Sequence, residues 1–117
     1  MKKILIIACF IPFIVVSQKR ALVSAQTKYN NLEYIESIKI YERLVKRGHG
    51  TPEILDKLAN ANFDNANYVE ANKWFEKLSE INPSMSPENH FRFASTLKSL
   101  SKFQESDNQM KMFIAAR

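Results

Sequence analysis

The side chains able to serve as nucleophile, general base or metal ligand are few and scattered. The 117 residues hold one cysteine and two histidines. Cys9 lies inside the apolar run Ile4 to Val16. Beyond that run the chain has no thiol, so no intrachain disulfide and no thiol chemistry are available. His49 and His90 are far apart, with no cysteine and no His–Glu spacing around either to suggest a metal site. His49 is expected to cap a helix C-terminus, and His90 to lie on a helix flank. Carboxylates are plentiful but fall at exposed helix positions. There is no glycine-rich phosphate loop and no nucleophile elbow. These absences predict a protein that is not an enzyme, with no cofactor and no metal.

The elements that carry these side chains are helical. Glycine is scarce at two residues, proline stands at four, and strand-like runs are absent outside the first sixteen or so residues. Formal net charge is +5, with part of the excess in Lys2 and Lys3. Both signs are interspersed along the helices, which reads as a solvated surface and gives no expectation of nucleic-acid binding.

Met1-Lys2-Lys3 followed by the apolar run and then by Ser17 has the anatomy of a secretory signal peptide, 1-17, cleaved to leave Gln18 first. The run is short for a membrane span, which needs about 20 residues. An uncleaved anchor and a lipoprotein signal at Ile6-Ile7-Ala8-Cys9 remain as alternatives, the latter with a very short apolar region. Export with a Lys-Lys leader and no disulfide points to the envelope of a Gram-negative bacterium: the periplasm, or association with the outer membrane. No transmembrane span is expected after the leader.

Residues 18-117 are expected to form six helices. The first runs from about Lys19 to Asn31 and the second from Glu33 to Arg47, stopped by Gly48-His49-Gly50. Thr51-Pro52-Glu53 combines a hydroxyl N-cap, a proline at the first position and an acid in the first turn. It starts a third helix that reaches Asn65. The fourth, from Tyr68 to the stop at Asn82-Pro83, puts Tyr68, Ala71, Phe75, Leu78 and Ile81 on one face. Ser84 to Ser86 is a linker. Ser86-Pro87-Glu88 repeats the earlier start signal, opening a fifth helix to Leu100, and the sixth begins at about Lys102. Trp74 points about 100° away from its neighbour Phe75 and is expected to pack against another helix. On the last helix Met110, Met112, Phe113 and Ile114 form a wide apolar surface, which implies further chain or a docking partner.

The fourth helix has a copy on each side. Tyr34, Ser37, Tyr41 and Leu44 recur as Tyr68, Ala71, Phe75 and Leu78, and again as Phe103, Ser106, Met110 and Phe113, with a period of roughly 34 residues. Ala25, Ala59 and Ala94 are the matching small residues on the preceding helices. A small residue on each partner lets the two helices approach closely. This pattern resembles the tetratricopeptide repeat. The middle copy fits best, through Leu58, Ala59, Phe63, Tyr68, Ala71, Phe75, Leu78 and Pro83. The first has Leu32 where a glycine is usual and His49 in place of the closing proline, and the third has Ser106 and Met110. The resemblance implies an all-α fold: a signal peptide followed by a three-repeat array of antiparallel helix hairpins, an α-solenoid, with repeats at about 19-50, 51-84 and 85-117.

The Lys-Lys leader, the Gln-Lys start and the KWFEKL…EINP helix also look like the N-terminal part of exported Bacteroidetes envelope proteins of the OmpA family. That resemblance implies either an interaction scaffold or a structural spacer in a larger peptidoglycan-associated protein. Tetratricopeptide arrays use the concave face, lined by the first helix of each hairpin, to bind a partner segment. Carried over to this chain, that face comprises Gln26, Tyr29 and Asn30, then Asp56, Asn60, Phe63 and Asp64, then Phe91, Ser95 and Lys98. Leu22 and Gln26 stand where some family members place residues that clamp a terminal carboxylate. An acidic C-terminal peptide is therefore not the expected ligand, and the protein partner stays unidentified.

Overall fold

The computed structural model describes residues 2–117, and the side chains of residues 16–117. Six helices follow one another: α1 (Lys2–Asn30), α2 (Tyr34–Lys46), α3 (Pro52–Asp64), α4 (Tyr68–Ile81), α5 (Pro87–Ser99) and α6 (Phe103–Ala116). Among the described residues there is no strand, and no helix is long and apolar enough to cross a membrane. The expected leader falls almost wholly on residues whose side chains lie outside the described ones. The expected start of the first helix at Lys19 is corrected: α1 begins at Lys2 and passes Ser17-Gln18 without a break. Neither glycine nor proline stands between Val16 and Asn30 to interrupt it.

The helices pair as hairpins, α1 with α2, α3 with α4 and α5 with α6, and each hairpin stacks on the next through α2 on α3 and α4 on α5. Ala25, Ala59, Ala94 and Ala71 are fully buried, as is Ser37, and Ser106 nearly so. The two serines do more than take little room. Ser37 Oγ donates to the Ala25 carbonyl at 3.0 Å, and Ser106 Oγ donates to the Ala94 carbonyl at 2.7 Å. The same hydroxyl-to-carbonyl bond thus ties the first and third hairpins, while Ala71 makes the middle contact by apolar packing alone.

Each hairpin turn is built the same way. Leu32, Ala66 and Ser101 hold φ of 64°, 59° and 61°. The amide after each donates back across the helix end: Glu33 N to Lys28 O, Asn67 N to Asn62 O, and Lys102 N to Leu97 O, at 2.8–2.9 Å. This is a Schellman closure, made three times with a non-glycine residue in the left-handed region. Gly48, at φ 84°, closes α2 by the same device, with the His49 amide donating to Leu44 O at 3.0 Å. At the other ends, Thr51 and Ser86 accept from the amides of Ile54 and Asn89 at 3.3 and 3.2 Å, each ahead of a proline in the first turn.

An aromatic pair braces each of the first two turns. Tyr29 meets Tyr34 at 5.4 Å, and Phe63 meets Tyr68 at 6.0 Å. In the third hairpin Lys98 takes the first position of the pair, and Phe103 is left exposed. Between hairpins, Phe75 of α4 stacks on Phe93 of α5 at 5.4 Å, with the rings 15° from parallel. Trp74 is only 5% exposed, so it packs, with Lys73 and Lys77 over its ring. Two expectations are revised. Met85, in the stretch read as a linker, is buried among the core side chains. His90 is buried and not on a flank. It stands where Leu55 stands in the preceding repeat, so it faces the hairpin interior, and its ring Nδ1 lies 2.8 Å from Gln109 Oε1 of α6. On α6 only Ser106 is buried, and Met112 and Ile114 are open to solvent.

Phe75 is fully buried at the junction of two hairpins. Its replacement by alanine is expected to cost about 3–5 kcal/mol, read as a lower urea midpoint. Ala66→Gly is expected to act in the other direction. Ala66 is exposed, so the change removes the left-handed strain and loses no packing. It should raise stability by about 1 kcal/mol at an unchanged denaturant slope.

Candidate functional site: the face of the first helices

The first helices of the hairpins, α1, α3 and α5, run side by side, with α3 touching α5 directly. Their shared face carries the residues expected to meet a partner. Three of these, Tyr29, Phe63 and Asp64, come together. Tyr29 on α1 donates its phenol proton to Asp64 Oδ2 on α3. Asp64 also accepts from Arg92 Nη1 on α5, at 3.1 and 3.2 Å to its two oxygens. The Arg92 guanidinium lies over the Phe63 ring, 5.1 Å from its centre. Its Nη2 reaches Glu88 Oε1, one turn back on α5, at 3.1 Å. One polar chain therefore links all three repeats.

Burial sets the electrostatics of this chain. The side chains of Arg92 and Asp64 are 23% and 21% exposed, so their pairing is less screened than that of a fully solvated ion pair. Burial alone would pull the pKa of Arg92 down, but the carboxylates of Asp64 and Glu88 push it above its ordinary value, so the guanidinium stays charged. Tyr29 is pushed up to about 12, first by burial and then by its hydrogen bond to Asp64 and that carboxylate's charge. Arg92 opposes the shift.

A second cluster sits one turn toward the N-terminus of α3. Asn60 Nδ2 is shared between Asp56 Oδ1 at 2.6 Å, the Asp56 carbonyl at 2.9 Å, and Asn89 Oδ1 on α5 at 3.0 Å. Asp56, Asn60, Asn89 and Arg92, with Tyr29 and the Tyr41 ring from α2 below, line an open cleft of about 210 Å³.

The other expected residues lie apart from it. Gln26 Nε2 donates to Asn30 Oδ1 at 2.9 Å on the exposed side of α1. Ser95 Oγ donates to the Phe91 carbonyl at 3.0 Å, which ties it into its own helix. Lys98 is exposed. Phe91 is 45% exposed, and its ring leans on Phe113 of α6 at 5.4 Å, so it belongs to the last hairpin more than to the cleft. Arg92, Asn89 and Glu88 were not anticipated. The Glu88/Arg92 spacing of four residues was visible as a helix ion pair, but nothing in the sequence pointed it back toward α3.

Neither histidine joins this face. The His49 ring lies 3.0 Å from Gln18 Nε2 through its Nε2. Among the described residues no group of three acidic, histidine or cysteine side chains is placed to hold a metal ion. No protein-family model matches the chain, and no curated protein is significantly similar to it.

The raised Tyr29 gives a pH signature. The folded chain holds this proton more tightly than the unfolded one, so Tyr29 contributes stability below pH 10, and that contribution is lost as pH rises from 10 to about 12. In Asp64→Asn the hydrogen bond to a charged oxygen and the carboxylate's charge are gone. The Tyr29 titration, followed by NMR of the labelled ring carbon, is expected to move down toward the ordinary tyrosine value while staying above it through burial.

Proposed function

We propose that this chain is a non-enzymatic interaction scaffold of tetratricopeptide type, acting in the bacterial cell envelope, that holds a segment of a protein partner against the shared face of α1, α3 and α5. The observation that carries this reading is the polar chain Tyr29–Asp64–Arg92. It holds three successive repeats in fixed register and leaves a cleft open beside them. A partner that meets such a face finds its contacts already placed, and less ordering cost is left to binding. The face offers amides, carboxylates and aromatic rings, which suit a peptide. The envelope location is supported by the leader pattern alone.

A second reading, a structural spacer within a larger OmpA-like envelope protein, is favoured by a different observation. Met110 and Phe113 of α6 are only partly covered, whereas the corresponding Tyr41 and Leu44 of α2 and Phe75 and Leu78 of α4 are buried.

Capture from envelope extracts separates the two. With the tagged chain as bait, Asn60→Ala, Phe63→Ala and Phe91→Ala together are expected to remove the captured proteins, while far-ultraviolet circular dichroism shows the helices intact. Capture that persists unchanged in the triple variant would sink the face reading and favour the spacer.

A further inference from the structure

We infer that α1 keeps its apolar N-terminal run and docks on an anionic lipid bilayer, with the line through Val16 and Val23 turned to the membrane and Lys19 and Arg20 reaching the lipid phosphates. This surface is separate from the polar chain at the shared face, since Tyr29 lies about 120° around the helix from Val23. The inference takes up the uncleaved anchor among the readings of the leader, and it does not depend on the face reading above.

Charge is the first ground. Residues 1–32 hold five basic side chains, Lys2, Lys3, Lys19, Arg20 and Lys28, and no acidic one, whereas twelve of each sign balance from Glu33 onward. The whole formal excess of +5 therefore sits on α1. Lys28 is met by Glu33 at 3.7 Å. Lys19 and Arg20 are exposed, and among the described residues neither takes part in an ion pair. A basic helix on an otherwise neutral body is drawn to a negative surface and turns the molecule toward it.

The second ground is the shape of the exposed side. Val16 and Val23, seven residues apart, fall on one line of α1, on the side away from the buried Ala25. They are 47% and 67% exposed. Val23 stands where α3 has Lys57 and α5 has Arg92, so here an open position carries an apolar residue in place of a cation. The two valines, Ser24, Lys19 and Arg20 line an open groove of about 410 Å³ whose surface is almost wholly apolar. The stems of both cations thus form its walls and leave the charged heads free, the arrangement in which lysine and arginine meet lipid headgroups.

The apolar run Ile4 to Val16 continues the same helix. Its thirteen residues reach about 20 Å, short of a hydrocarbon core of about 30 Å. The run therefore enters one leaflet without crossing, and the cations that follow it fall at headgroup level. Apolar insertion and a basic patch together hold more firmly than either alone. A soluble acidic protein would meet the cations but leave the apolar run in water. A second copy would cover the run but set like charges against each other.

The test is flotation of the full chain with vesicles of phosphatidylcholine alone or of phosphatidylcholine and phosphatidylglycerol in equal parts. Binding is expected on the mixed vesicles, about tenfold weaker for Lys19→Gln/Arg20→Gln, weaker with added salt, and weaker for Val16→Ser/Val23→Ser. All four side chains are exposed, so helicity and melting, measured alongside, are expected to stay unchanged. Equal binding to the two kinds of vesicle, or unchanged binding by either double variant, overturns the inference. Orientation is read separately. In a Cys9→Ser background an environment-sensitive nitrobenzoxadiazole dye is attached through Val23→Cys or through Lys98→Cys. Its emission is expected to shift to the blue on the mixed vesicles from the first position only. A shift from both positions or from neither overturns the inference. So does self-association that needs Val16 and Val23 and occurs in place of vesicle binding, which assigns the surface to a second copy.

Discussion

The array depends on how closely the two helices of each hairpin approach one another. Side chains normally hold packed helices about 8–10 Å apart. Here alanine faces serine or alanine at every crossing: Ala25 with Ser37, Ala59 with Ala71, Ala94 with Ser106. With so little between the backbones, a serine hydroxyl reaches a carbonyl of the other helix, as it does in the first and third hairpins. A larger residue at any of these six positions would push the helices apart. It would also shift the turn beyond the crossing and the ring that braces it, because a close-packed interior passes strain on to its neighbours.

Close hairpins then decide where the large side chains go. They cannot lie between the paired helices at the crossing, so they fill the space between one hairpin and the next. Tyr41 and Phe75, at corresponding positions, are both buried, and Phe75 stacks on Phe93 of the following hairpin. At the last hairpin Met110 holds that position with no following layer in the structure, and it is only partly covered. One repeating rule, small within hairpins and large between them, accounts for the buried residues and for the exposed side of α6.

Most of this was legible in the sequence because helix period, caps and repeat period agree. Thr51-Pro52-Glu53 and Ser86-Pro87-Glu88 start helices where the spacing of apolar residues says they begin, and Gly48 ends one. Several features were not legible, for physical reasons. Leu32, Ala66 and Ser101 carry no sign of the left-handed region, since glycine is the usual signal and the hairpin geometry imposes the conformation regardless. Histidine looks like a surface residue until its repeat position is compared with Leu55. Met85 sits between serines, and nothing local tells that the chain turns it inward. At the face, the position-by-position transfer found Tyr29, Asn60 and Asp64 but treated each repeat separately. Arg92 and Asn89 lie on the side of α5 that looks back at α3, and only the stacking of one hairpin on another brings them there.

The half-buried Arg92–Asp64 pair explains why the polar residues cluster on this face. An ion pair of this kind contributes modestly to stability, because desolvation offsets much of the attraction. Its geometry is demanding, however. Arg92 needs both oxygens of Asp64, the ring of Phe63 beneath it and Glu88 beside it, and Asp64 in turn orients Tyr29. Apolar layers that slide past one another lose little over small displacements, whereas this chain breaks. It therefore sets the register of the three first helices more sharply than the core alone. The second helices also keep an open side, where Ile35 and Val69 are exposed, but among the described residues no such polar chain joins α2 to α4 there. The first helices keep one side clear, and that side is the one the polar chain fixes in place.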